Sequence, residues 1–264
     1  MLAEQSHMGA VFCVEHRLPA TANAEREISW PLRLRFVVFA AFSLAGAGCA
    51  HVQSALLPIA AELSGSVDGV AITNGPPDTD IAAAEMVVLH GSWSEERIAQ
   101  ARADDQFDAF SAFAPVLGAE FTADDYPRTD DVFDRLRAPL GASILLAKNR
   151  YARQRPFVLD DTLPTCVEPT DQLRASGSYP SGHAAFGWAW ALLLAELVPS
   201  RADALLQRGR DYGDSRVVCG VHFPSDVDAG RVIAAAAIAR LHAEPAFRRE
   251  MDAARLELGR VYGD

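Results

Sequence analysis

Two histidines, an aspartate and a cluster of cations fall into three short segments of this chain. The first is Lys148-Asn149-Arg150-Tyr151-Ala152-Arg153-Gln154-Arg155-Pro156, with four basic residues in eight positions. The second is Gly177-Ser178-Tyr179-Pro180-Ser181-Gly182-His183. The third runs from Ser215-Arg216 through Cys219 to His222-Phe223-Pro224-Ser225-Asp226. Lys148 and Arg155 are seven residues apart, so a continuous helix would put them on one face two turns apart. Pro156 disfavours helix at Arg155 and releases the chain there. A lysine point charge and an arginine fork both suit a phosphate. Ser181 is placed to cap a helix that starts at Gly182, whose lack of a side chain lets backbone approach a ligand. The free N–H groups of such a helix start bind anions, and His183 sits at its mouth. His222 and Asp226 stand four apart, a spacing at which a carboxylate can hold one imidazole nitrogen and leave the other free as nucleophile or base. Singly, each segment has an ordinary explanation: a solvated basic face, a capped helix, a structural ion pair. Together, Lys148, Arg155, Arg216, a helix N-terminus and two histidines are the equipment for phosphoryl transfer through a histidine, with no metal required.

Helices must position these groups. Ser94 followed by Glu95 and Glu96 marks a helix start. Phe107, Phe110 and Phe113 recur at helical intervals, with an interruption expected at Pro115. Val132, Phe133 and Leu136, then Leu140, Ile144 and Leu145, predict two helices parted near Pro139. Residues 156–180, rich in Pro and Gly, read as a loop. Gly182–Val198 reads as a buried apolar helix, Ala202–Asp214 as one with charged faces, Ser225–His242 as apolar again, and the tail from Pro245 to about Leu258 as amphipathic. Alternating strand patterns are nearly absent. The fold class is all-α, a single compact helical bundle domain over residues 86–264. The apolar runs Ala184–Ala195 and Val232–Ala239 fall short of the roughly 20 residues of a membrane span.

The 264 residues are 50% hydrophobic and carry 24 Lys+Arg against 35 Asp+Glu, a net charge of −11. So acidic a chain excludes a general nucleic-acid binder, which needs a basic face. Residues 1–50 read as a leader: Arg33 and Arg35, an apolar core over 36–47, then small residues, the order of a secretory signal peptide. Simple cleavage after Ala47 or Ala50 ranks above lipoprotein anchoring at Cys49, because Gly46 stands where a lipobox has Leu. The expected location is periplasmic or secreted. Residues 51–85, rich in Ala, Gly, Pro, Ser and Asp, read as a linker or a wrapping N-terminal segment. Cys166 and Cys219 are the two cysteines beyond the leader, an even pair that suggests one disulfide in an exported protein, two buried thiols being the alternative. No cysteine or histidine spacing marks a metal site.

Lys-x6-Arg-Pro, then Pro-Ser-Gly-His, then Ser-Arg-x5-His-x3-Asp resembles the three-part signature of the type 2 phosphatidic acid phosphatase superfamily. The run Gly177–His183, with Arg155-Pro156-Phe157 and Ser225-Asp226-Val227-Asp228, is most similar to the class A bacterial non-specific acid phosphatases. The likeness extends from about Val88 to Leu258 and includes Ala101-Arg102-Ala103-Asp104-Asp105; Ala184 departs from it, where class A members often have Thr. The resemblance implies an all-α acid phosphatase without cofactor, acting on small phosphomonoesters such as nucleotides, sugar phosphates or aryl phosphates, and often homo-oligomeric. It implies His222 as nucleophile, Asp226 as its orienting carboxylate and His183 as general acid and later base. Lys148, Arg155, Arg216, Ser181 and the Gly182 N–H would hold the phosphoryl oxygens. Competing readings are a lipid phosphatase or a vanadate-dependent haloperoxidase of the same superfamily, and a phosphate-binding protein without turnover. A neutral His222 and a protonated His183 together predict an acidic to near-neutral optimum.

Overall fold

The computed structural model describes residues 65–79, 83, 85, 86 and 93–263. The expected leader with its apolar core, the cleavage and lipid-anchor positions, and residues 51–64, 80–82, 84 and 87–92 lie outside the described residues. The helices in chain order are α1 (Gly69–Ile72), α2 (Glu95–Ala103), α3 (Ala109–Leu117), α4 (Pro127–Tyr151), α5 (Pro156–Leu159), α6 (Asp171–Ala175), α7 (Gly182–Leu197), α8 (Ala202–Val218), α9 (Pro224–His242) and α10 (Pro245–Tyr262). No strand occurs among the described residues, so the chain is all-α as its periodicity predicts.

α7 is apolar on every face, and such a helix is stable only in the middle of a bundle. It packs most extensively on α8 and α9, and also meets α3, α4 and α10. Leu193, Leu194 and Leu197 on it are fully buried, each contributing about 1.5–3 kcal/mol. Glycines set how close the neighbours come. A Cβ on Gly187 would fall 2.3 Å from the Tyr212 ring of α8. A Cβ on Gly230 of α9 would fall 2.6 Å from the carbonyl oxygen of Ser181. Two helices thus press against the N-terminal end of α7, where the second segment lies.

Two prolines fail to break helices as expected. α4 runs through Pro139 as one helix of 25 residues. Its buried face, with Val132, Phe133, Leu136, Leu140 and Ile144, continues on both sides of the proline. The interior proline costs about 3 kcal/mol, which burial of that face against α9 and α10 offsets. Ser143 Oγ donates to the Pro139 carbonyl at 2.8 Å and accepts from the Val67 N–H at 3.0 Å, joining the N-terminal segment to this turn. α3 likewise includes Pro115; Ser111, whose carbonyl Pro115 cannot serve, is exposed to water. The region 156–180 holds two short helices, α5 and α6, within an otherwise irregular path. α8 continues past Asp214 to Val218, so Arg216 sits on its last turn. Ser94 caps α2, its Oγ accepting from the Arg97 N–H at 3.2 Å. Cys166 and Cys219 form a disulfide. Among the described residues no helix is long and apolar enough to cross a membrane.

Candidate active site

The three segments meet at helix ends. α4 stops at Tyr151, where Ala152 takes a left-handed conformation (φ 45°) and its N–H closes on the Lys148 carbonyl at 2.9 Å. The chain then turns back, and Arg155 is extended (φ −79°, ψ 157°) as a residue before proline should be. Lys148 and Arg155 therefore do not share a helix face, as their spacing suggested; a reversal of the chain brings them together. Lys148 Nζ donates to the carbonyls of Gly177 and Ser178, tying the first segment to the second. Arg155 donates to the Ser176 carbonyl (3.2 Å), the Ser176 hydroxyl (2.9 Å) and the Val221 carbonyl (2.9 Å).

Ser181 caps α7, accepting from the Ala184 N–H at 3.4 Å, and its own N–H donates to the Asp226 carbonyl at 2.9 Å. A Cβ on Gly182 would meet no atom within 4 Å, so the helix mouth opens onto free space there. His183 Nε2 lies 3.1 Å from the carbonyl oxygen of Asp105, and its ring is edged by Phe107 and stacked on Tyr212. Arg216, 1% exposed, pairs through Nη1 with Asp105 Oδ1 at 2.5 Å.

The third segment reverses direction at Gly220, whose φ of 69° needs a glycine. That turn folds the N–H groups of Val221 and His222 onto the Arg216 carbonyl at 3.1 and 3.3 Å. His222 precedes α9, so its contact with Asp226 is not the helical one that four-residue spacing implied. Asp226 lies in the first turn of α9 and reaches back: its Oδ2 accepts from the Phe223 N–H at 2.9 Å and lies 3.2 Å from His222 Nδ1. On the other side of the ring, Arg155 Nη1 is 3.0 Å from Nε2. A guanidinium can only donate, so Nε2 carries the lone pair and Nδ1 the proton that Asp226 receives.

Burial and charge tune these groups. Burial first, then the guanidinium of Arg155, hold His222 well below the ordinary histidine value. Burial and Arg216 do the same to His183. Burial and the two arginines Arg155 and Arg216 lower Lys148 to about 7. Burial alone would raise Asp226, but the His222 hydrogen bond and charge, with Arg153, outweigh it and bring the carboxyl to about 2. His222 thus rests as a neutral imidazole beside an ionised carboxylate. Among the described residues no group of three or more His, Cys, Asp or Glu side chains is placed to hold a metal ion.

All eight residues singled out for chemistry gather here: Lys148, Arg155, Ser181, Gly182, His183, Arg216, His222 and Asp226. Three more belong with them. Arg153 donates to Asp226 Oδ1 at 2.6 Å, Ser178 Oγ donates to Asp226 Oδ2 at 2.6 Å, and Asp105 touches both His183 and Arg216. Arg153 and Ser178 lie inside the segments already noted, and Asp105 inside the 101–105 stretch. An extended chain before Pro156 puts residues 153 and 155 in the same register, which is the signal that could have found Arg153.

Residues 137–249 match the PAP2 superfamily. The chain is 44% identical over 147 residues to the non-specific acid phosphatase of Salmonella typhimurium, a span covering 55% of this chain and 59% of that protein. It is 38% identical over 152 residues to the non-specific acid phosphatase of Providencia stuartii, covering 57% and 61%. It is 52% identical over 113 residues to an acid phosphatase of Zymomonas mobilis, covering 42% of each chain. The chain thus spans about three-fifths or less of the length of these curated relatives. Residues 137–249 are thus similar to the PAP2 superfamily, and they fall within the helical bundle described above. The relatives it resembles are named acid phosphatases, two of them non-specific acid phosphatases.

Proposed function

We propose that this protein is a metal-independent acid phosphatase that hydrolyses a broad range of phosphate monoesters through a phosphohistidine at His222. The observation that carries this reading is the bonding of the His222 ring, with its lone pair at Nε2 among cations and its Nδ1 proton held by Asp226. Lys148, Arg155, Arg216, the Ser181 hydroxyl and the Gly182 N–H hold the nonbridging oxygens. Phosphate draws Arg155 away from Nε2 and frees the lone pair. Nε2 then bonds to phosphorus as the ester P–O bond breaks, and the leaving oxygen takes a proton from His183. The resting His183 is a poor base, and the incoming phosphoryl dianion supplies the negative charge that lets it hold that proton. In the second step His183 takes a proton from water, the water oxygen bonds to phosphorus, and the N–P bond breaks.

The pH dependence follows by sign. Protonation silences His222, and its lowered value moves that loss below the ordinary histidine value of 6.5. Lys148 loses its charge as pH rises through about 7, so phosphate affinity falls on the alkaline side. Activity is therefore acidic to near neutral. Export to the periplasm or medium belongs to the same proposal and rests on the Arg33, Arg35 and 36–47 pattern.

The test is hydrolysis of p-nitrophenyl phosphate at mildly acidic pH in EDTA, with and without orthovanadate, by the full chain and its His222→Ala variant. Turnover that survives EDTA, is blocked by vanadate and vanishes in the variant is the expected result. A folded wild-type protein that binds phosphate without turnover would overturn it. N-terminal sequencing of the protein recovered outside the cytoplasm tests export.

A further inference from the structure

Arg153 reaches a different part of the site from the other cations. Arg155 contacts His222 Nε2, Lys148 holds the Gly177 and Ser178 carbonyls, and Arg216 pairs with Asp105 beside His183, whereas Arg153 contacts the carboxylate behind the ring. Its Nη1 donates to Asp226 Oδ1 at 2.6 Å and to Ser225 Oγ at 2.8 Å. Its guanidinium lies 3.9 Å over the Phe223 ring. The pair is closed to solvent, with side chains 3% and 0% exposed. Yet Nε and Nη2 of Arg153 are buried with no hydrogen-bond partner. Each unmet buried donor has given up its water without a replacement bond, which destabilises the fold. A charge kept underground on such terms is poorly explained by stability alone.

The two oxygens of Asp226 divide the work. Oδ2 receives the Ser178 hydroxyl (2.6 Å), the Phe223 N–H (2.9 Å) and the His222 Nδ1 proton (3.2 Å). Oδ1 receives Arg153. A ring phosphorylated on Nε2 is cationic when it keeps its Nδ1 proton, and only then is it a good leaving group. Its Nδ1 proton is also far more acidic than before, and the buried Asp226 carboxylate without a cation beside it would be a stronger competitor for that proton. That would leave a neutral phosphoimidazole, whose N–P bond is slow to break.

We propose that Arg153 is a positioning residue for the second half-reaction: bound to Oδ1, it leaves the Nδ1 proton on the phosphorylated His222 ring rather than on Asp226, and so speeds the attack of water. The inference rests on the phosphohistidine reading above. In that step the water oxygen forms its bond to phosphorus and a water proton passes to His183. The N–P bond breaks with its electron pair returning to Nε2, and Nδ1 keeps its proton throughout. The depressed basicity of the Asp226 carboxylate, to which Arg153 contributes, points the same way.

The experiment compares the full chain with Arg153→Met, which keeps bulk over Phe223 and removes the charge, and with Arg153→Lys. Each is mixed rapidly with p-nitrophenyl phosphate at one mildly acidic pH, and radiolabelled phosphoenzyme is trapped by alkaline quench. In Arg153→Met the nitrophenolate burst rises towards one per site, kcat falls about 10–100-fold, and KM falls with it because phosphoenzyme accumulates. Arg153→Lys restores kcat to within about tenfold of wild type, since a point charge can still reach Oδ1. Should Arg153→Met not fold, the uncharged Arg153→Gln takes its place: a burst larger than wild type supports the role, and an unchanged burst overturns it. A folded Arg153→Met that loses kcat and kcat/KM equally, without added phosphoenzyme, reduces Arg153 to a structural residue. A wild-type enzyme that turns over while no label is trapped on His222 defeats the phosphohistidine reading itself, and the two failures are told apart by that control.

Discussion

Among the described residues, two arginine–aspartate pairs are buried on both sides, and they are built differently. Arg208 grips Asp104 with both Nη atoms, at 3.2 and 2.5 Å, and spends Nε on the Ala112 carbonyl at 2.7 Å. Asp104 also accepts from Gln100 (2.8 Å) and Ser215 (2.5 Å). That pair is saturated, and it joins α8 to the end of α2 and to α3. Arg153 instead touches Asp226 through one nitrogen, leaves two donors unmet, and passes its charge through the carboxylate to His222. A closed pair satisfies its own desolvation and serves as scaffold; an open one keeps its field directed at a third group. The same two side-chain types thus hold helices together in one place and bias a proton in another.

The largest effect that tests this contrast is His222→Ala. Turnover should fall by more than about 10⁴-fold while the melting temperature moves little, since the loss is chemical. Unchanged turnover would remove the open pair from the reaction. His183→Ala should follow, with alkyl phosphates losing about 10²–10⁴-fold and p-nitrophenyl phosphate much less, because nitrophenolate leaves without a proton. Equal losses on both substrates would contradict its part as acid. Arg208→Met belongs to the closed pair and should do the reverse. Breaking a buried pair costs about 3–5 kcal/mol. Calorimetry should show a melting temperature lower by about 10 °C, with kcat within about threefold where the protein is folded. A large loss of kcat there would erase the distinction. The smallest effect is a shift rather than a loss. Lys148 sheds its proton near 7, so Lys148→Arg should carry tight phosphate binding to higher pH. The pH profile of KM would show it.

Local spacing made the convergence of Lys148, Ser181, Gly182, His183, Arg216, His222 and Asp226 legible, because each lies at or next to a helix end that sequence signals mark. The all-α class was legible too, from helical periodicity and the want of alternation. The behaviour of Pro139 was not. Whether a proline breaks a helix depends on what the two halves bury, and α4 buries one face along its whole length. The meeting of Lys148 and Arg155 was foreseen for the wrong reason, since a left-handed Ala152 replaced the expected shared face. Arg153 with Asp226, and Asp105 with Arg216, span 73 and 111 residues of sequence. No local pattern encodes such pairings, and only packing brings them together.

The disulfide has a further consequence. It links Cys166 to Cys219 across 53 residues, and that interval contains the 177–183 segment and Arg216. The exposed stretch around Asp171, Gln172, Arg174 and Ala175 lies inside the same interval. A protease that cuts there therefore does not release a fragment: both pieces stay covalently joined one residue pair away from the turn that carries His222. A chain nicked in this exposed stretch should therefore remain a single species until its cysteines are reduced.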